Sequence, residues 1–432
     1  MKHVTDEMMQ RMKRLSPEDV RHSTIEAVSP GTLEAARAIV ERVRTEGAVA
    51  VRDLAAQFGE RSAKEPLMLD RSTMRAALDA IPADQRAVLE RTAERIRAFA
   101  AAQRASVRDV DAPIPGGRAG HTVEPVRSAG CYAPAGRYPL PSSALMTAVT
   151  ARAAGCERVV VASPGAGPLM LAAAAIAGAD AFLAVGGAHA IAAMTYGIDG
   201  LEPCDVIVGP VNQWVTAAKQ IVNGIVGIDM LAGPSELLVI ADDTAEPGVV
   251  AADLLAQAEH DTQAVPILLT TSPALADAVD IELERQLTEL ETRETATAAL
   301  RNGFICVVGS PGQARTIADR IAAEHVEIMV NDAEAFGLSL RNAGALFLGS
   351  MSAEVLGDYG AGPNHTLPTG RTARFQAGLS VIHFLRLRTW MRIDDAQEAR
   401  PLIDDAVSLA EIEGLAGHGA SAMARRPGDA QH

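Results

Sequence analysis

Aromatic side chains are scarce in this 432-residue chain: two Trp, four Tyr and eight Phe amount to 3% of it. A core must therefore be built from Ala, Val, Leu and Ile, which suits helices packed on buried parallel strands. Cysteine is rarer still. Cys131, Cys156, Cys204 and Cys306 are scattered, with no C-x-x-C pair. That excludes a disulfide scaffold and a cysteine-based zinc site, and leaves four small buried hydrophobes of a reducing compartment. Positive charge is in deficit, 39 Lys and Arg against 54 Asp and Glu. An acidic surface repels phosphate backbones, so no nucleic-acid partner is expected. No apolar signal core accompanies the charged opening MKHVTDEMMQRMKRL, and the least polar stretch, 169–194, contains Asp180, His189 and several glycines. Neither reads as a membrane segment, and a cytoplasmic protein is expected. The dinucleotide fingerprint G-x-G-x-x-G is absent too, as are a P-loop and a G-x-S-x-G elbow. Gly165-Ala166-Gly167 comes nearest but runs into Pro168 and Met170. A nicotinamide cofactor would have to be held without the usual glycine cradle.

What is present points to a globular protein of several domains, with 48% hydrophobic and 22% charged residues. Apolar positions Leu33, Ala36, Ile39, Val40 and Val43 recur at helical spacing, and 84–107 is a second long helical stretch. After Gly116-Gly117 and the Pro-rich segment CYAPAGRYPLPSS (131–143), the texture becomes strand–helix alternation. RVVVAS, AFLAV and DVIVG form one series of buried strands, between 158 and 209. ELLVIA, VPILLT, FICVVG, VEIMVN and ALFLG form a second, between 236 and 349. The expectation is an α/β protein of two Rossmann-like βα-repeat domains. The boundaries read as an N-terminal helical arm (1–27), a first discontinuous domain (28–131 and 235–378), a second domain (132–234) and a C-terminal helical arm (379–432). An arm at each end suggests packing against a partner subunit.

Four polar clusters stand out. In AQAEHD, Gln257 and His260 are spaced to share one helix face, where an amide oxygen and an imidazole reach the same metal; a solvated helix end fits the spacing as well. In AAEHVEIMVND, Glu324 and His325 lie just before a buried strand, as a general-base pair or as an ordinary surface pair at a helix C-terminus. GDYGAGPNHTLPTG holds Asp358, Asn364 and His365 in a constrained loop, either a binding loop or a structural turn. EGLAGHGASA carries Glu413 and His418 in a polar tail with a helix start. Two loops add weaker signals: GPVNQW (209–214) opens a helix whose amides can face an anion, and GPSE places Ser235 immediately before a strand.

Taken together, YAPAG, GP-x-N, AGPSE, QAEHD, EH, GDY-x-x-G-x-NH-x-LPT and EGL-x-x-H resemble the histidinol dehydrogenase family, in the family's order and over nearly the whole chain. The resemblance implies zinc held by Gln257, His260, Asp358 and His418, and Glu324 and His325 as the catalytic pair. It implies substrate contacts from Ser235, Gln257, His260, His325, Asp358, Glu413 and His418. NAD contacts fall on Tyr132, His189 and Asn212. It further implies a homodimer whose C-terminal arm completes the partner's site, and oxidation of L-histidinol to L-histidine through a held aldehyde. The outer loops depart from the family pattern: Ala135 for a usual glycine, Leu140 for a common tyrosine, His189 for a glutamine, Val211 for a glycine, and His383 for an aspartate. These departures, with Arg137 in GRYPL, admit a paralogue that oxidises another polar alcohol, such as a sulfonated propanediol. A non-catalytic metal-binding protein is the third alternative, against which the intact Glu324-His325 pair argues.

Overall fold

The computed structural model describes residues 12–20, 28–62, 64–135, 140–210 and 212–427. The chain opens with β1 (Lys13–Leu15), α1 (Pro30–Glu46), α2 (Ala48–Gln57), β2 (Met68–Asp70), α3 (Arg71–Ala80), α4 (Ala83–Ser106), β3 (Val110–Ile114) and β4 (Gly117–Pro125). A βα series follows: β5 (Ser128–Tyr132), α5 (Pro141–Ala154), β6 (Arg158–Ala162), α6 (Pro168–Ile176), β7 (Ala181–Leu183), α7 (Gly187–Tyr196), β8 (Val206–Val208), α8 (Gln213–Val222) and β9 (Gly227–Ile228). The second series is β10 (Glu236–Ala241), α9 (Pro247–Ala258), β11 (Val265–Thr270), α10 (Pro273–Glu289), α11 (Arg293–Leu300), β12 (Phe304–Val307), α12 (Pro311–Ile321), β13 (His325–Met329), α13 (Ala333–Leu338), β14 (Ala345–Leu348) and α14 (Glu354–Asp358). The chain closes with β15 (Leu385–Ile393), α15 (Arg400–Ile412) and α16 (Ala416–Met423).

Local chemistry sets many of the boundaries. Ser29, Asp70, Ser272 and Ser310 each accept a backbone N–H at a helix start, and Pro follows the cap at α1, α10 and α12. Gly47, at φ +59°, separates α1 from α2 where the sequence shows a break in periodicity.

Two six-stranded sheets result. One runs β1-β12-β11-β10-β13-β14, entirely parallel; the other runs β2-β7-β6-β5-β8-β9, with only β2 antiparallel. These are the two Rossmann-like units expected from the strand series. Both faces of each sheet are covered, which is why the strands read as continuous apolar runs. Leu237, Val239 and Ala241 of β10 enter one core while Leu238 and Ile240 enter another. Val159 and Val161 of β6 likewise part from Val160 and Ala162.

The sheets partition the chain differently from the boundaries drawn on sequence. Ala36, Val40 and Val43 of α1 pack in the core with α7 and α8, and Met74, Leu78, Leu89 and Ile96 of α3 and α4 pack with α5 and α6. The apolar faces of 28–106 thus cover the 128–228 sheet, not the 236–348 sheet. The N-terminal arm was expected to be helical. Instead 13–15 is an edge strand on β12, while 1–11 and 21–27 lie outside the described residues. The C-terminal region also holds a strand. β15 pairs antiparallel with β4 along nine residues and, with β3, makes a small third sheet. Leu379, Val381 and Phe384 join the core of the 128–228 unit, and only α15 and α16 form a helical arm. Among the described residues no helix is long and apolar enough to cross a membrane.

Candidate active site

Strand order reverses between β5 and β8, and again between β10 and β13. In open α/β sheets such a reversal opens a crevice at the carboxyl ends of the strands. Tyr132 ends β5 and Asn212 follows β8, so two of the three residues assigned to cofactor contact flank the first crevice. The close approach of these strand ends depends on Gly209, at φ +131°, where a Cβ would lie 2.1 Å from the Tyr132 carbonyl oxygen. The Tyr132 hydroxyl accepts from Gly187 N at 3.2 Å, and burial pushes its pKa up to about 12. His189, on α7, is buried and lies 2.9 Å from a Glu60 carboxylate oxygen, stacked on Phe58. Asn212 does not leave an open anion site, because its side-chain oxygen already accepts from Trp214 N and Val215 N. A buried ion pair holds this loop. Lys219 Nζ reaches Gly209 O at 2.8 Å and Asp229 Oδ1 at 2.6 Å, while Gly209 N donates to Asp229 Oδ2 at 2.7 Å. Val211 and Arg137 lie outside the described residues. His383 accepts from Ser380 N in a short helical turn, with the Lys219–Asp229 pair close enough to act on its charge.

The other residues gather at the amino ends of β10 and β13. Hydrogen bonds join the two edges: Ser143, at the start of α5, lies 3.5 Å from His365 Nε2, and His365 Nδ1 lies 3.1 Å from the Asp358 carbonyl. Asn364 ties the same loop to α5 through Met146 O at 2.8 Å. Asp358 Oδ1 in turn lies 3.9 Å from His325 Nε2. The carboxyl edge of one sheet therefore faces the amino edge of the other, with the polar cluster between them.

His325 is the first residue of β13 and is buried, with Nδ1 3.2 Å from the Glu236 carbonyl and 3.6 Å from Glu354 Oε1. Burial depresses its pKa to about 4, although Asp358 pulls the other way, so the ring is neutral and Nε2 is free to take a proton. Glu324 is buried beside it and accepts from Glu236 N at 3.1 Å, with the Ser235 side chain adjacent. Burial holds the Glu324 carboxyl well above the usual range, reinforced by Glu236 and Asp358. Glu236 itself is raised by burial to about 7.

A metal could be held next to this pair. Donor atoms of His260, Glu354 and Asp358 lie within 4.8 Å of one another, and His260 Nε2 is 3.6 Å from Asp358 Oδ2. Gln257 lies in the last turn of α9, fully buried, with neither amide atom hydrogen-bonded among the described residues. His260 lies just past the helix, but its N–H bonds Gln257 O at 3.3 Å and continues the turn. A buried amide without a partner is costly, and a cation accepting its oxygen removes much of that cost. The donor set of imidazole, carboxylate and amide oxygen suits zinc. Sequence reasoning missed Glu354. Its signal was available, since it stands four residues before Asp358 on one helix face. Glu413 and His418 do not join this cluster within the chain. Both are exposed on the α15–α16 hairpin, with Gly414 at φ +72° between the helices.

A sequence model of the histidinol dehydrogenase family matches residues 24–426. The chain belongs to the histidinol dehydrogenase family. Histidinol dehydrogenase of Cereibacter sphaeroides is 45% identical over 92% of each chain, and that of Mesorhizobium japonicum is 44% identical over 90% of this chain and 91% of its own. The crystal structure of histidinol dehydrogenase from Elizabethkingia anophelis superposes with a TM-score of 0.89 at 30% identity, covering 96% of this chain and 98% of that one. Family membership makes the chain an oxidoreductase of this type and accounts for the two Rossmann-like units.

Proposed function

We propose that this cytoplasmic enzyme oxidises L-histidinol to L-histidine in two NAD-linked steps, with the aldehyde held between them. The observation that supports this most directly is the buried, neutral His325, its free Nε2 facing Asp358 beside a cluster of metal donors. Gln257, His260 and Asp358 would hold zinc, together with His418 from a second copy of the chain, and Ser235 and Glu413 would contact substrate. Zinc supplies a Lewis acid that fixes the amino alcohol. His325 Nε2 would accept the hydroxyl proton, and NAD would supply the hydride acceptor. Glu324, buried beside His325, would act on water so that the aldehyde is hydrated before the second oxidation. Tyr132, His189 and Asn212, at the β5/β8 crevice, would hold NAD. The decisive assay is NAD reduction with L-histidinol, run zinc-loaded and zinc-stripped, with a sulfonated propanediol as control. Metal-dependent turnover yielding two NADH per alcohol is expected. Absence of histidinol turnover in zinc-loaded protein would sink the reading.

A further inference from the structure

The β10/β13 reversal has a crevice of its own at the opposite edge of the sheet. Ser235, Glu236, Glu324 and His325 occupy the amino ends of these strands, whereas the carboxyl ends open onto a cavity of about 350 Å³ that none of them lines. His325 opens β13, whereas Asn331 of the cavity lies two residues past its other end, Met329, itself about 13 Å from His325 along the strand. The cavity is therefore separate from the reaction centre.

Its lining restricts what it can hold. Leu269, Val330 and Phe336 supply an apolar wall, and Asp242, Thr270 and Asp332 supply polar groups. Among the described residues no Lys, Arg or His lines it. At the helix amino ends that border it, Ser272 accepts from Leu275 N, Ser310 from Gln313 N, and Asp332 from Ala335 N. The charged side chains of the described lining are carboxylates, which repel a phosphate. Asp242 also bridges the two lips of the crevice, accepting from Thr244 N and Asn331 N at 3.0 Å each. A fitting ligand carries no negative charge, presents a flat apolar face and offers hydroxyl donors. We propose that this crevice binds a neutral nucleoside, with its base against Phe336 and Val330 and its ribose hydroxyls on Asp242 and Asp332. The ligand is a free nucleoside, without a phosphate.

Adenosine, AMP and NAD titrated calorimetrically into the full chain, and into Ala335→Trp and Asp332→Asn, test this. Ala335 is an exposed residue of the cavity wall, so an indole there fills the space without entering a core. Asparagine at 332 keeps the helix cap and removes only the charge. Saturable adenosine binding is expected, weakened by about tenfold or more in both variants, with AMP weaker than adenosine by a similar factor. NAD affinity is expected to be the same in Ala335→Trp as in the wild-type chain, and NAD weakened alongside adenosine would overturn the proposal. No saturable adenosine binding, equal affinity in Ala335→Trp, or AMP binding as tightly as adenosine would each overturn the proposal. Histidinol turnover is read in parallel, and its loss in the wild-type chain bears on the oxidation reading alone.

Discussion

Replacing His325 with Ala should lower kcat with histidinol by about 100- to 10,000-fold, the range for a lost general base, while zinc binding measured by calorimetry is retained. Equal loss of zinc would mean that the ring is a ligand instead. A second residue-level effect comes from the buried acids behind it. Burial raises Glu327 to about 8, with Asp253 adding to the shift, and its Oε1 accepts from Glu354 N at 2.6 Å. In the unfolded chain the carboxyl ionises near 4.5. Between those values the folded state binds more protons, so this group's contribution is intact below the window and is lost as pH rises through it. Glu327→Gln keeps the acceptor oxygen and should raise the melting temperature above the window, with little change below it. An unchanged melting temperature at alkaline pH would rule this out. The pattern of His and acidic residues revealed His260, Glu324, His325 and Asp358. It gave no sense of their burial, because desolvation depends on residues such as Glu236 and Glu354 that long stretches of chain separate from their neighbours.

Elements were more legible than their partners. Apart from β5 and β9, which no apolar run marks, the strands of both series stand within a residue or two of the runs that announce them, and α1 and α4 follow their apolar periodicity. What the pattern could not give was which sheet the first four helices cover. An apolar face records only that it is buried, not against what. The short strands β1 and β15 were missed for a related reason: three residues, or nine largely exposed ones, show no run of hydrophobes. The loop after β8 carries a prediction at this scale. Lys219→Met leaves Asp229 buried without its cation and should cost about 3–5 kcal/mol in urea unfolding. The released Gly209–Asn212 loop should raise KM for NAD more than it lowers kcat. An unaltered KM would show that the ion pair stabilises the fold without positioning the cofactor.

At the scale of the whole molecule, the proposed reading has a second copy receive the exposed Glu413 and His418. Mixing two inactive variants tests it. His325→Ala and His418→Ala, refolded together, should regain about a quarter of wild-type activity, since half the dimers are mixed and each of those has one intact site of two. No recovery would place the arm's residues outside the partner's site.

The two sheets share one strand order, 3-2-1-4-5 when each βα series is numbered from its own central strand, with a short extra strand laid on the same outer edge. Doubling of an ancestral segment about half as long would leave this pattern. On that history the two copies did not divide one task. The 128–228 sheet presents its carboxyl edge to the polar cluster and the 236–348 sheet its amino edge, so the carboxyl mouth of the second sheet faces away from that cluster.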